Sequence, residues 1–180
     1  MGGVIDPAEA YQRAAALFGE TIASLTDEEW ELPSRPADWT VQTTVAWVVV
    51  GDAQITAALD GVALRSVADF DVSVLGPNAV STWRGTAIAA IGSLREQGAL
   101  ARRVEHPDGD LVVADLVGQR VSENLVRAHD IGVATGRPVE LPEDLVDWCL
   151  DFWAGHADAV LRGDVLPDAP REPGPDASPT

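Results

Sequence analysis

Four charged residues at helical spacing are the first candidates for chemistry in this sequence. Arg120, Glu123, Arg127 and Asp130 are separated by three, four and three positions, which places them on one face of a predicted helix. On periodicity alone, such alternating charges are typical of a solvated helix surface with weak side-chain pairs. Turned inward, the same face would offer a carboxylate for proton transfer and a guanidinium for an anionic group.

Other reactive residue types do not form a local motif. His106, His129 and His156 are spread over a predicted loop and two predicted helices, so no spacing marks a metal site. Cys149, the single cysteine, lies in an apolar stretch and is interpreted as a packed structural thiol. The common signatures of P-loop enzymes, zincins, zinc fingers and serine hydrolases are absent, which excludes their usual forms.

Five predicted helices position these residues. Apolar periodicity, capping residues and Pro or Gly stops define them, with a loop containing one short helical turn over residues 62–76 and no strand pattern. The sequence therefore predicts an all-α antiparallel four-helix bundle with an additional C-terminal helix. The predicted helices run from Pro7 to Leu25, from Asp38 or Thr40 to a stop at Gly61, from Pro77 to Val104, from Val112 to Thr135, and from Pro142 to near Gly163.

The chain length fits one domain, predicted over residues 1–163. Residues 164–180 hold five prolines and few large apolar side chains, so we expect a flexible, disordered tail. No apolar run is long enough to span a membrane, and Met1 to Asp6 lack a secretory signal. We therefore expect a cytoplasmic protein.

A formal net charge of -17 argues against one class of partner. Nucleic-acid binding needs a basic patch that displaces counterions from phosphates, and the longest basic run is Arg102-Arg103. The sequence therefore predicts that the protein does not bind DNA or RNA.

Two segments resemble the DinB-like, mycothiol-dependent maleylpyruvate isomerase family, which is typical of actinobacteria. The first is Trp30-x-x-Pro33-Ser34-x-x-x-x-Trp39-Thr40-Val41, followed by Trp47 in an apolar helix. The second runs from Ser122 to Gly136 and ends in Asp-Ile-Gly-Val-Ala-Thr-Gly. The resemblance implies a DinB-like bundle over about residues 6 to 163.

The resemblance also implies where a metal site would lie. In the family, a His from the second helix joins a Glu and a His of the fourth helix to hold a divalent metal that activates mycothiol. The corresponding positions here are Trp47, Glu123 and Arg127. Neither an indole nor a permanently protonated guanidinium can coordinate a metal, so we predict a degenerate, metal-free site without a cofactor. We expect Arg127 to pair with Glu123 and Trp47 to fill the space of the metal and imidazole.

Several functions stay open at this point. The first is a metal-free pocket, lined by Trp47, Trp83, Glu123, Arg127 and His129, that binds a small organic molecule. The second is a metal-independent isomerase or cyclase of a specialised metabolite, with Glu123 as acid or base and Arg127 holding an anionic group. The third is a metal- and mycothiol-dependent isomerase or S-transferase whose site is rebuilt from Glu123 with His129 or His156. The fourth is a homodimeric interaction protein.

Overall fold

The computed structural model describes residues 5–66, 70–106 and 109–156, and these residues are mostly helical. This result confirms the all-α class predicted from the sequence. Among the described helices, none has the length and apolarity needed to cross a membrane. The helices are α1 (Pro7–Ala23), α2 (Val41–Leu59), α3 (Ala79–Leu94), α4 (Val113–Ala134) and α5 (Glu143–Gly155), with 3-10 turns at Asp27–Glu31, Val72–Leu75 and Ala99–Ala101 and two short strands, β1 (Arg103–Val104) and β2 (Leu111–Val112).

The ends of α1 and α2 follow the predicted signals. The carboxylate of Asp6 accepts a hydrogen bond of 2.9 Å from the backbone N–H of Ala8, and Pro7 occupies the first turn of α1. The hydroxyl of Thr40 caps α2 by accepting a 3.2 Å bond from the Thr43 N–H. Gly61 follows α2 with a φ of 71°, a left-handed conformation that ends the helix. These local signals confirm the predicted starts of both helices.

The prediction for the third helix is wrong in its second half. The helix ends at Leu94 instead of Val104, and Gly98 then adopts a φ of 80°, which no α-helix can include. Beyond it, Arg103 and Val104 pair antiparallel with Val112 and Leu111 as β1 and β2. The sequence shows no strand pattern here, because two-residue strands carry no readable alternation.

The fifth helix is shorter than predicted within the described residues. It begins at Glu143, directly after Pro142, but ends at Gly155 instead of near Gly163. Residues 157–163 and the predicted tail, 164–180, lie outside the described residues. The proposed domain boundary at residue 163 therefore stays a prediction.

The helices share one apolar core. Helix α1 packs chiefly on α4, α2 packs on α3 and α4, and α5 lies against α4 and α1. Because α2 and α4 are neighbours, polar residues on their facing sides are brought together. The largest fully buried side chains are Tyr11, Phe18, Ile22, Ile55, Leu75, Leu116, Ile131 and Leu145.

Candidate functional site

The charged face of α4 points toward the protein interior. Arg120 and Asp130 are only 6% and 7% exposed, and Glu123 and Arg127 are partly buried. The interpretation of this face as a solvated surface was therefore wrong. Periodicity cannot show the difference, since a charged stripe has the same spacing whether it faces water or a neighbouring helix.

Trp47 of α2 meets Glu123 and Arg127 of α4 in one hydrogen-bonded group, which we call the trio. The Trp47 indole Nε1 donates to Glu123 Oε2 at 3.0 Å. Arg127 Nε donates to the same oxygen, also at 3.0 Å. The three positions that the family resemblance singled out therefore lie in direct contact, although 76 residues separate Trp47 from Glu123.

Arg127 also bonds to groups other than Glu123. Its Nη1 donates to Asp130 Oδ2 at 3.0 Å and to the backbone carbonyl of Arg35 at 3.3 Å. The side chains of Arg127 and Asp130 are 14% and 9% exposed, so this ion pair is better shielded from water than a surface pair. Two carboxylates thus share one guanidinium, which leaves this part of the site with an excess negative charge.

Aromatic rings cover one side of the trio. Trp39 and Trp47 lie with ring centroids 5.2 Å apart, and Phe70 contacts both at 5.8 and 5.7 Å. The Arg127 guanidinium carbon lies 5.3 Å from the centre of a Trp39 ring, a cation–π distance. The site therefore combines polar groups with a flat apolar wall.

The trio does not fit the divalent metal that the family resemblance implies. Both Trp47 Nε1 and Arg127 Nε direct N–H donors at Glu123 Oε2. Neither donor nitrogen has a lone pair to offer. Within the described residues there is also no group of three or more His, Cys, Asp or Glu side chains that could hold a metal ion.

Two further residues proposed for the pocket lie apart from the trio's hydrogen bonds. Trp83 is buried over Gly19, where a Cβ would lie 2.2 Å from its ring, and its ring neighbour is Phe18 at 6.1 Å. His129 is exposed on α4, six positions from Glu123 and about 240° around the helix. The structure therefore brings together Trp47, Glu123 and Arg127, but places Trp83 in the α1–α3 contact and His129 at the surface.

His156 is engaged at the end of α5. Its Nδ1 lies 2.7 Å from the Phe152 carbonyl and its Nε2 lies 3.1 Å from Asp115 Oδ1. Cys149, on the same helix, is partly buried, and burial raises the pKa of its thiol. Both ring nitrogens of His156 are therefore engaged within the fold, and the partial burial of Cys149 agrees with its interpretation as a packed thiol.

A second polar group lies deeper, and sequence reasoning missed it. We call Tyr11, Asp52, Arg120 and Asn124 the inner polar cluster. Asp52 is fully buried, and its two carboxyl oxygens each lie 3.1 Å from Asn124 Nδ2. Burial raises the pKa of Asp52 to about 7, although the Arg120 charge and the Asn124 bonds act in the opposite direction. The available signal was one aspartate inside the apolar sequence of α2.

Arg120 reaches the inner polar cluster through a gap in α2. A Cβ at Gly51 would lie 1.9 Å from Arg120 Nη1, so only glycine leaves room for this guanidinium. A mid-helix glycine costs about 1 kcal/mol relative to alanine. The buried position of Arg120 therefore depends on a glycine at position 51.

Comparison with known proteins adds a distant likeness. Two uncharacterised proteins of Mycobacterium tuberculosis, from strains CDC 1551 and H37Rv, are each 23% identical to this chain over 171 residues. The alignment covers 95% of this chain and 90% of each relative. No family model matches the chain, and no solved structure matches it.

Proposed function

We propose that this chain is a DinB/maleylpyruvate-isomerase-like antiparallel four-helix bundle whose metal-free site binds a small organic molecule. The observation that carries the proposal is the convergence of two N–H donors, from Trp47 and Arg127, on one oxygen of Glu123. In this arrangement the indole and the guanidinium take the place of two metal ligands. The site then recognises a ligand through hydrogen bonds and aromatic contact, without a bound cation.

Polar atoms left over in the site support ligand binding. Within the described part of the chain, Glu123 Oε1, Arg127 Nη2 and Asp130 Oδ1 make no hydrogen bond. The Glu123 side chain is 25% exposed, so it is partly accessible to a small molecule. Together with the aromatic wall, these atoms give a small set of directed polar contacts beside apolar surface, which is typical of small-molecule sites.

A ligand screen with matched variants tests this proposal. Untagged protein in the presence of EDTA is screened by thermal shift against organic acids, amines and neutral aromatics. Hits are then titrated by tryptophan fluorescence. Trp47→Phe keeps the ring but removes the donor to Glu123, so it should weaken binding about tenfold, the usual effect of losing a hydrogen bond to a charged group. Trp153→Phe is the control, because Trp153 lies on α5 and donates its indole N–H to the Ser122 hydroxyl of α4 at 2.8 Å instead of to Glu123.

Two results would overturn the proposal. One is binding that appears only after zinc or nickel is added. The other is a set of hits whose affinities are the same in wild type, Trp47→Phe and Trp153→Phe, because such ligands do not use the trio.

The free oxygen of Glu123 also favours a second candidate function, a metal-independent isomerase or cyclase. A partly exposed carboxylate oxygen beside a bound ligand is positioned to exchange a proton with it. Glu123→Gln keeps the shape of the side chain, and it should abolish turnover of any ligand that the protein converts. Unchanged turnover in this variant would exclude Glu123 as the acid or base. The homodimer and the rebuilt metal site stay hypotheses.

A further inference from the structure

Two carboxylate oxygens at the trio have no hydrogen-bond partner within the described residues, Glu123 Oε1 and Asp130 Oδ1. The other oxygen of each carboxylate accepts a bond from Arg127, and Glu123 Oε2 also accepts one from Trp47. Neither free oxygen is among the buried polar atoms that lack a partner in the described part of the chain, so both retain solvent contact. An ionised carboxylate can only accept hydrogen bonds. A ligand that uses these oxygens must therefore bring the donors.

The charge of the site favours one sign of ligand. Glu123, Arg127 and Asp130 carry two negative charges and one positive charge, and the neighbouring loop adds one of each sign at Arg35 and Asp38. A cation would neutralise this group, whereas an anion would double its negative charge. The side chains of Glu123, Arg127 and Asp130 are between 9% and 25% exposed, so solvent screens this difference only in part.

The arginines of this α4 face are poor receptors for an anion. Arg127 Nε and Nη1 are engaged by Glu123, Asp130 and the Arg35 carbonyl. A carboxylate that approached the remaining nitrogen, Nη2, would be repelled by both neighbouring carboxylates. Arg120 belongs to the inner polar cluster and is only 6% exposed. The site therefore does not favour the sequence-based hypothesis that Arg127 holds an anionic group.

The aromatic wall, formed by Trp39, Trp47 and Phe70, favours a cation as well. All three rings are partly exposed, and the face of an aromatic ring attracts positive charge. The Arg127 guanidinium carbon already lies 5.3 Å from the centre of a Trp39 ring. Trp47 donates its indole N–H to the Glu123 carboxylate, which increases the electron density of the ring and strengthens its attraction for a cation. The wall can therefore contact the apolar body of a ligand without opposing its positive charge.

We propose that the ligand of this site is a small organic ammonium, which donates an N–H to Glu123 Oε1 and places its apolar body on the aromatic wall. The Asp130 carboxylate adds negative charge beside it. A protonated amine fits because it carries hydrogen-bond donors together with the positive charge. A quaternary ammonium would supply the charge without the donors, and a neutral alcohol would supply a donor without the charge. This inference rests on the proposed function and names the chemical class of its ligand.

Benzylamine and phenethylamine are the probes that test the inference. Each is compared with its neutral alcohol and with the corresponding acid, benzoate or phenylacetate. Isothermal titration calorimetry uses untagged protein with EDTA at about pH 7.5, where an alkylamine is protonated. At least one amine should bind at least about tenfold more tightly than its alcohol, and the acid should bind more weakly still. Added sodium chloride should weaken binding of the amine but not of the alcohol.

Matched variants locate the binding. Glu123→Gln keeps the shape of the side chain and removes its charge, so the dissociation constant for the amine should rise at least about tenfold. Trp39→Leu leaves the hydrogen bonds of the trio in place and should weaken amine binding severalfold. Glu29→Gln is the control, because Glu29 also pairs with an arginine, Arg137, outside the trio. The comparison of amine, alcohol and acid uses the wild-type protein, so it does not depend on whether a variant folds.

Three results would overturn the inference. These are a lack of binding by both amines at millimolar concentration, an alcohol or acid that binds as tightly as its amine, and unchanged amine affinity in folded Glu123→Gln. If the ligand screen yields only neutral or anionic ligands that Trp47→Phe weakens, this inference fails while the proposed function stands. Amines that require Glu123 but bind equally to wild type and Trp47→Phe would support the selection of a cation and contradict the role of the Trp47 donor.

Discussion

Asp52→Asn should change how the stability of the protein depends on pH. Asp52 is fully buried on α2, and burial raises the pKa of its carboxyl from 3.8 to about 7. A raised acid pKa means that the folded protein binds the proton more tightly than the unfolded chain. The stability that Asp52 contributes is therefore fully present below pH 3.8 and is lost as the pH rises through 7.

The size of the effect follows from the two pKa values. One pKa unit corresponds to about 1.4 kcal/mol, so the whole shift amounts to about 4 kcal/mol. Between about pH 5 and pH 8.5, the Asp52 contribution to the free energy of unfolding of the wild-type protein should fall by roughly 2 to 3 kcal/mol. An asparagine cannot be deprotonated, so the variant lacks this loss. The free energy of unfolding of Asp52→Asn should therefore rise relative to wild type by roughly 2 to 3 kcal/mol over that range.

Urea unfolding followed by tryptophan fluorescence measures this difference. At several pH values from about 5 to 8.5, the urea midpoints of wild type and variant should separate by about 1 M or more, given usual denaturant slopes. Asp147→Asn, a matched change at an exposed position of α5, is the control. Parallel pH profiles for wild type and Asp52→Asn would contradict this prediction, because they would mean that Asp52 is ionised and well compensated in the folded protein.

Three further changes test the packing and capping described above. Gly118→Ala would place a Cβ 2.2 Å from the Phe152 ring, so it should lower the free energy of unfolding by about 1 to 3 kcal/mol, and an unchanged thermal midpoint would contradict this contact. Gly19→Ala would place a Cβ 2.2 Å from the Trp83 ring, so it should shift the tryptophan emission and destabilise to a similar degree, whereas an unaltered spectrum would count against this packing. Asp6→Ala removes the cap of α1 and should lower the free energy of unfolding measured in urea by about 1 kcal/mol, and an unchanged value would mean that the cap is absent in solution.

Local sequence signals predicted the starts of α1 and α2. Asp6 with Pro7 marked the start of α1, and Asp38 or Thr40 marked that of α2, where Thr40 is the cap. The predicted end of the third helix was wrong. The small and charged residues after Leu94 are compatible with a helix, but the backbone at Gly98 adopts a left-handed conformation. The β1–β2 pair was missed because strand pairing depends on partners, and two residues give too short a pattern.

The contacts of the site could be predicted only where the family resemblance indicated which residues come together. Periodicity placed Glu123 and Arg127 on one face, and the family resemblance connected them to Trp47, which the structure places in contact. The inner polar cluster had no such guide. Asp52 and Asn124 are 72 residues apart, and each alone is an ordinary helical residue, so only the packing of α2 on α4 reveals the pair.

Metal content tests the proposal that Trp47 and Arg127 stand in place of metal ligands around Glu123. Untagged protein purified without chelator is analysed by inductively coupled plasma mass spectrometry, beside the double variant Trp47→His/Arg127→His. We expect far less than one divalent ion per wild-type chain, and stable zinc or nickel binding in the double variant, since two imidazoles and the Glu123 carboxylate form a ligand set of the usual kind. Stoichiometric zinc or nickel in the wild-type protein would show that the site still binds a metal, contrary to the proposal.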